Sequence, residues 1–216
     1  MDKKIHIVRG ERARCQTHAA PFERQTDKRA LPRQRSVFRL ARVSAEAEAG
    51  FARVMNISDG GLMLSLQLGV RPGSILNIDL SEAIRLSGEV IWFDGAKCGV
   101  RLFEPIDSAA TLVRLFADSV RGTDRPLRLP CSSEATAMGD FGTLDVQIED
   151  ISLRGLKVRH EGQLKEGQRV KMLLGALPER EGVVRWCRGG RAGISMIEPF
   201  SLQDLGSTEK LGRPQG

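Results

Sequence analysis

The chain has 216 residues, enough for one large domain or two modest ones. Its composition, 41% hydrophobic and 28% charged, is typical of a globular protein and excludes wholesale disorder. No segment approaches the roughly 18 consecutive apolar residues of a membrane-spanning helix, and the amino terminus lacks the apolar core of a secretory signal. We therefore expect no membrane span and a cytoplasmic location.

The net charge of +6 is concentrated at one end of the chain. Residues 1–39 hold eleven basic and four acidic side chains, whereas the remainder holds 22 basic and 23 acidic ones. We expect residues 1–30 to form a flexible basic arm, which could attract a phosphate ligand, nucleic acid or an anionic surface. The nearly neutral remainder does not have the charge of a general polyanion binder.

Residues with catalytic or metal-binding chemistry are few and scattered. The four cysteines form no CxxC pair and the three histidines lie far apart, so we predict reduced thiols and no metal site. Common catalytic motifs such as HExxH, a Walker loop or GxGxxG are absent. The sequence therefore predicts a binding protein rather than an enzyme, without a cofactor.

Short segments of alternating polarity follow the arm. They are separated by Gly, Pro, Asp and Ser, lack βαβ spacing, and therefore predict a small antiparallel barrel or sandwich. The predicted strands are 38–44, 51–57, 61–66, 74–80, 84–93 and 97–103. An apolar stripe then predicts a helix that is capped by Asp107 or Ser108 and closed by Gly122. The stripe consists of Ala109, Leu112, Val113, Phe116 and Val120.

The second half of the chain repeats the first. A displacement of 94 residues aligns 56–62 with 150–156 and brings the only two tryptophans, Trp92 and Trp186, into register. Upstream, Arg39 aligns with Arg128 only if the second copy takes five extra residues. The repeat predicts a tandem duplication, with domains at 31–122 and 123–205 and a flexible tail at 206–216.

Two groups of polar residues stand out in the first copy. Arg35 and Arg39 lie near the start of its first strand, and an arginine fork can bind guanine and phosphate oxygens. Asn56 and Ser58 share one face at a strand end, and Gly61 follows them where a ligand could approach the backbone. The simpler alternatives are a solvated charged tail for the arginines and a hairpin turn for the second group.

Together, Arg35-x-x-x-Arg39 and Asn56-x-Ser58-x-x-Gly61 resemble the signature of the PilZ domain, a bacterial receptor domain for the second messenger cyclic di-GMP. The resemblance covers residues 33–120 and, more weakly, 125–205. It implies a mostly β protein made of two tandem six-stranded antiparallel barrels. It also implies that Arg35 and Arg39 hold the guanines and phosphates of the ligand, while Asn56, Ser58 and Gly61 meet a guanine and its phosphate.

The second copy departs from this signature. It keeps Asp150, Ser152 and Gly155, and these residues with Arg125 and Arg128 make a weak second site. If Arg128 takes the place of Arg39, an aspartate, Asp124, stands where the other arginine is needed. We therefore expect the second domain to bind the ligand weakly or not at all.

These observations favour a cyclic di-GMP receptor that changes its conformation or its contacts with a protein partner. Two alternatives stay open. The basic arm could bind nucleic acid or an anionic surface, although we expect nucleic acid to be the less favoured ligand. The two domains could also act only as a protein-interaction module.

Overall fold

A computed structural model describes residues 39–46, 48–121 and 125–212. In these ranges the strands form two closed antiparallel barrels of six strands each, with one α-helix after the first barrel. This confirms the predicted fold class. The predicted arm at 1–30 and Arg35 lie outside the described residues. No helix in the described ranges is long and apolar enough to cross a membrane.

In the first barrel the strands follow the order β1-β2-β3-β6-β5-β4 before the sheet closes. Alternating side chains fill its interior; Val43, Val54 and Leu64 are at most 1% exposed. The strands are β1 (Arg39–Ala45), β2 (Glu48–Ser58), β3 (Gly61–Ser65), β4 (Ile75–Ser81), β5 (Ile84–Phe93) and β6 (Lys97–Leu102).

Helix α1 (Ser108–Val120) begins at Asp107, whose side chain accepts a hydrogen bond of 2.8 Å from the Ala110 amide. Its rotation is set by buried Ser108, which donates to Asp59 Oδ1 from its amide at 3.0 Å and its hydroxyl at 2.5 Å. Leu112 and Leu115 consequently pack on the barrel.

The predicted apolar stripe is therefore divided between two faces of α1. Val113, Phe116 and Val120 are 70%, 71% and 71% exposed, whereas Leu115 is buried. The sequence predicted the helix correctly. The spacing of apolar residues could not show which face meets the barrel, because the anchor is a serine bound to a distant aspartate.

The second barrel repeats the same topology, with strands in the order β7-β8-β9-β12-β11-β10. Its interior is equally well buried, and Leu129, Ile148 and Met172 have no exposed surface. Its strands are β7 (Leu129–Gly139), β8 (Gly142–Ser152), β9 (Gly155–Arg159), β10 (Arg169–Leu174), β11 (Arg180–Arg188) and β12 (Arg191–Met196).

Strand register corrects the upstream alignment of the repeat. Arg39 pairs with Val54 in the first barrel, and Ser133 pairs with Ile148 in the second, so the displacement of 94 continues without a gap. The equivalent of Arg39 is thus Ser133, not Arg128. The apolar alternation decides the register, because Ala135 and Ala137 must face inward as Ala41 and Val43 do. Because Arg128 is not the counterpart of Arg39, nothing follows from Asp124, which lies outside the described residues together with Arg35.

The prediction of a flexible tail from residue 206 is wrong for residues 206–212. A 3₁₀ helix spans Thr208–Leu211, and Leu211 is fully buried in the apolar cluster of the second barrel. Lys210 Nζ donates to Gln67 Oε1 of the first barrel at 2.7 Å. The segment is too short for a visible periodicity, yet one buried leucine and these polar contacts hold it. Residues 213–216 lie outside the described ranges.

The two barrels share an apolar contact. Phe51 points outward from β2 and is 1% exposed, because it packs within the core cluster of the second barrel together with Leu40 and Ala49. The Phe51 amide donates to the Leu205 carbonyl at 2.8 Å. Outward positions of β1 and β2 thus belong to the core between the barrels.

We expect Phe51→Ala to lower the free energy of unfolding by about 3–5 kcal/mol, because it leaves a cavity in a closed apolar contact. The matched control is Phe103→Ala, since Phe103 is 55% exposed; it should cost about 0.5 kcal/mol or less. Chemical denaturation of both variants checks this. Equal losses would show that Phe51 does not join the barrels.

Candidate functional site

One row of side chains crosses the outer face of the first barrel. Pairing places Asn56 of β2 opposite Met63 of β3, Met63 opposite Gly99 of β6, and Gly99 opposite Trp92 of β5. The Trp92 ring lies over Gly99, where a Cβ would come within 2.0 Å of the indole nitrogen. The row thus has the amide of Asn56 at one end and the indole of Trp92, which is 41% exposed, at the other.

Asn56 carries an unsatisfied acceptor. Its Oδ1 is buried and accepts no hydrogen bond from any residue that the structure describes. A buried polar atom without a partner costs free energy, and such atoms are rare in folded proteins. A ligand that donates an N–H to this oxygen would remove that cost.

Ser58 and Gly61 have structural roles of their own. The Ser58 hydroxyl donates to the Gly61 carbonyl across the turn at 3.1 Å. A Cβ on Gly61 would lie 2.5 Å from the Val100 carbonyl oxygen, so β3 and β6 can approach only with glycine there. The hairpin-turn interpretation is therefore correct for these two residues as far as the described contacts go.

Asp59, inside the same turn, links the motif to α1. Hydrogen bonds from the Ser108 side chain and amide hold the pKa of Asp59 below its usual value. The local sequence pattern does not reveal this residue, because its partner lies 49 positions away.

Arg39 lies beside this face, but its guanidinium is directed elsewhere. It is the first residue of β1 and pairs with Val54, two residues before Asn56. Its Nε donates to the Leu80 carbonyl at 3.3 Å and its Nη1 to the Leu115 carbonyl at 3.4 Å. Arg39 therefore also fastens α1 to the barrel end.

A second row of residues, which the sequence pattern did not predict, lies beside the first. Ser58 pairs with Gly61, Gly61 with Arg101, and Arg101 with Glu89. Arg101 is well exposed and binds Glu89 Oε2 at 2.7 Å, which puts a cation next to the motif glycine. Only the strand register reveals this position, because Arg101 is 40 residues from Gly61 in the chain.

In the second barrel the counterpart of Asn56 is held in an ion pair. Arg128 Nη1 donates to Asp150 Oδ1, the counterpart of Asn56. Ser152 donates to the Gly155 carbonyl at 3.2 Å, so the turn is retained. Arg125 is exposed. The structure thus brings Arg128 and Asp150 together, but their charges are already paired with each other.

The described residues contain one cysteine–histidine pair. Nδ1 of His160 accepts from the Gly162 amide at 3.0 Å, so the neutral ring carries its proton on Nε2, which lies 3.2 Å from Cys187 Sγ. The thiol in turn donates to the Leu164 carbonyl at 3.1 Å. This imidazole cannot accept the thiol proton as a catalytic base would. The described residues also contain no group of three or more metal-ligating side chains.

Solved structures provide distant resemblances. PlzA of Borreliella burgdorferi in complex with c-di-GMP is 13% identical, with a TM-score of 0.38 and coverage of 80% of this chain and 85% of that one. YcgR of Escherichia coli in complex with c-di-GMP is 12% identical, with a TM-score of 0.28 and coverage of 73% and 75%. MotI/DgrA, an inhibitor of motility of Bacillus subtilis, is 11% identical, with a TM-score of 0.32 and coverage of 78% and 93%.

No curated protein matches the sequence significantly. The model of the PilZ domain, in contrast, matches residues 24–118 and again residues 119–209. These two ranges include both barrels and cover most of the chain. The protein therefore belongs to the PilZ domain family and contains two such domains in tandem.

Proposed function

We propose that this protein is a non-enzymatic receptor for cyclic di-GMP, which binds to the outer face of the first barrel. The observation that carries the proposal is the unsatisfied Oδ1 of Asn56, at the end of a row that leads to Trp92. Guanine offers N–H donors to such an acceptor, and its planar ring suits an exposed indole. Arg35 and Arg39 would bind the phosphates and the second guanine edge.

Arg39 also gives the receptor a means of response. Its partners include main-chain carbonyls at the end of β4 and within α1. Phosphate is a stronger partner for a guanidinium than a neutral carbonyl, so ligand capture would draw Arg39 away from Leu115. Leu40, the next residue, packs against the second barrel. Binding would thus alter α1 and the contact between barrels, or a contact with a protein partner.

The first barrel is the binding domain in this proposal. Its outer face has an acceptor without a partner, whereas in the second barrel Arg128 occupies Asp150. The register also replaces Arg39 there with Ser133. We propose one cyclic di-GMP site in the chain.

Titration calorimetry with cyclic di-GMP, cyclic di-AMP and GTP tests the ligand. We expect cyclic di-GMP to bind best, because adenine presents an N6 donor where guanine has the O6 acceptor. A polyanion site that used the basic arm would instead prefer long nucleic acid and lose affinity steeply with salt. Equal affinity for the guanine and adenine dinucleotides would contradict guanine recognition.

Asn56→Ala should reduce the affinity for cyclic di-GMP roughly tenfold, because one ligand donor is left unpaired. Stability without ligand should not fall, since Asn56 Oδ1 has no partner to lose and its unpaired burial costs free energy. Asn56→Asp keeps an acceptor and should keep binding. The matched control is Asp150→Ala in the second barrel, with unchanged affinity. A loss in the control but not at Asn56 would place the site in the other copy.

Arg35→Ala should cost roughly tenfold to more than a hundredfold in affinity, corresponding to about 1–3 kcal/mol for a lost guanine or phosphate clamp. Arg128→Ala, which removes an arginine from the second copy, should leave calorimetric affinity unchanged. Thermal unfolding without ligand separates binding from folding. If Arg128→Ala abolishes binding while Arg35→Ala does not, the one-site proposal is wrong.

A further inference from the structure

The outer face of the second barrel carries a basic depression that the cyclic di-GMP proposal does not use. It has a volume of about 460 Å³ and is lined by Lys157, Trp186, Arg188, Gly189 and Arg191. The Trp186 ring lies over Gly193, where a Cβ would come within 2.0 Å of the indole nitrogen. The Arg188 guanidinium carbon lies 5.5 Å from the ring centroid. An indole is thus surrounded by three cations.

The carboxylate of Glu149 holds basic side chains of this face in place, but its single negative charge does not cancel their total positive charge. Glu149, at the β-bulge of β8, accepts from Lys157 Nζ at 2.8 Å, from Arg191 Nε at 2.8 Å and from Arg159 Nη2 at 3.2 Å. Hydrogen bonds from Lys157 and then Arg191 are the main reason why the pKa of Glu149 falls to about 2. With Arg188, four cations face one acid.

Donors remain for a ligand. Lys157 uses one of its three N–H groups on Glu149, and Arg191 uses Nε. No described residue pairs with the terminal nitrogens of Arg191, and Arg188 forms no ion pair in the described part of the chain. Glu149 therefore fixes Lys157 and Arg191 in place while leaving several of their N–H groups available.

The first barrel shows that the fold does not need this charge. The displacement of 94 aligns Lys157 with Met63, Arg159 with Ser65, Arg188 with Asp94, and Glu149 with Met55, while tryptophan and glycine are kept at the same places. Arg191 aligns with Lys97. The same barrel geometry thus closes with one cation and one acid in place of this group, so packing does not explain the excess of cations.

We propose that Trp186, Arg188, Lys157 and Arg191 form a second binding site, specific for nucleotide phosphates. A base stacks against the Trp186–Arg188 pair, since bases stack on aromatic rings and on guanidinium planes. Lys157 and Arg191 bind the phosphate beside it. The source of the nucleotide is either a free mononucleotide or single-stranded nucleic acid, which share this chemistry. The site is independent of Asn56 and of cyclic di-GMP binding to the first barrel.

The test uses the full chain with Trp92→Phe, so that Trp186 is its only tryptophan and its fluorescence reports on the depression. GMP and a short oligo(dT) are titrated separately. We expect one or both to quench Trp186. For oligo(dT), affinity should fall with salt by about 0.7 logarithmic units per logarithmic unit for each phosphate contact.

Lys157→Met gives the second barrel the methionine that the first barrel has at this position, Met63. It should weaken the binding roughly tenfold and reduce the slope of log affinity against log salt for oligo(dT) by about 0.7. Lys171→Met is the matched control, because Lys171 is likewise a strand lysine bound to a glutamate, Glu179, at 3.0 Å. If GMP quenches the fluorescence of Trp186, the ligand of this site is a free nucleotide. If oligo(dT) alone quenches it, the ligand is single-stranded nucleic acid. No quenching by either, or equal affinity of the two lysine variants, would overturn the proposal.

Discussion

Outward positions of β2 run from Phe51, which is buried against the second barrel, to Asn56, which carries an acceptor without a partner. Because side chains alternate along a strand, inward positions such as Val54 are committed to filling the barrel. Side chains of this one strand therefore contribute to the first barrel's core, to the contact between the barrels and to the candidate ligand face. In the proposed receptor mechanism, a change at the outer face of this strand would reach the contact between the barrels.

The two barrels share their architecture but differ in the chemistry of their outer faces. Tryptophan over glycine occurs at the same place in both barrels, and so does the serine that binds the motif glycine across the turn. The polar residues around them differ. The first barrel leaves Asn56 unsatisfied, whereas the second pairs Asp150 with Arg128 and gathers cations around Glu149. The two domains thus share one fold and carry different polar groups on equivalent faces.

Much of the fold could be predicted from the sequence. Alternating apolar residues located the strands, and repeated glycines and tryptophans revealed the duplication. The register of β7 could not be predicted, because Arg128 looks like a counterpart of Arg39 until the inward positions of Ala135 and Ala137 are known. Burial of Leu211 could not be predicted either, since its 3₁₀ helix packs against β2 and β7, which lie far back in the chain.

The candidate site was predicted in part. The motif residues were found by their spacing, but spacing could not reveal that Gly61 is required by the Val100 carbonyl or that Arg39 binds main-chain oxygens of α1. Trp92 and Arg101 join the face only through strand pairing. These are consequences of long-range register, which a local pattern does not contain.

The central claim is that cyclic di-GMP meets the outer face of the first barrel and not its repeat. The backbone amides of Gly61 and Gly155 occupy equivalent positions, so their NMR shifts during one titration give a matched comparison. The account predicts a large shift for Gly61 that saturates with the ligand, with Gly155 nearly unmoved. A saturating shift of Gly155 with Gly61 unmoved would contradict it.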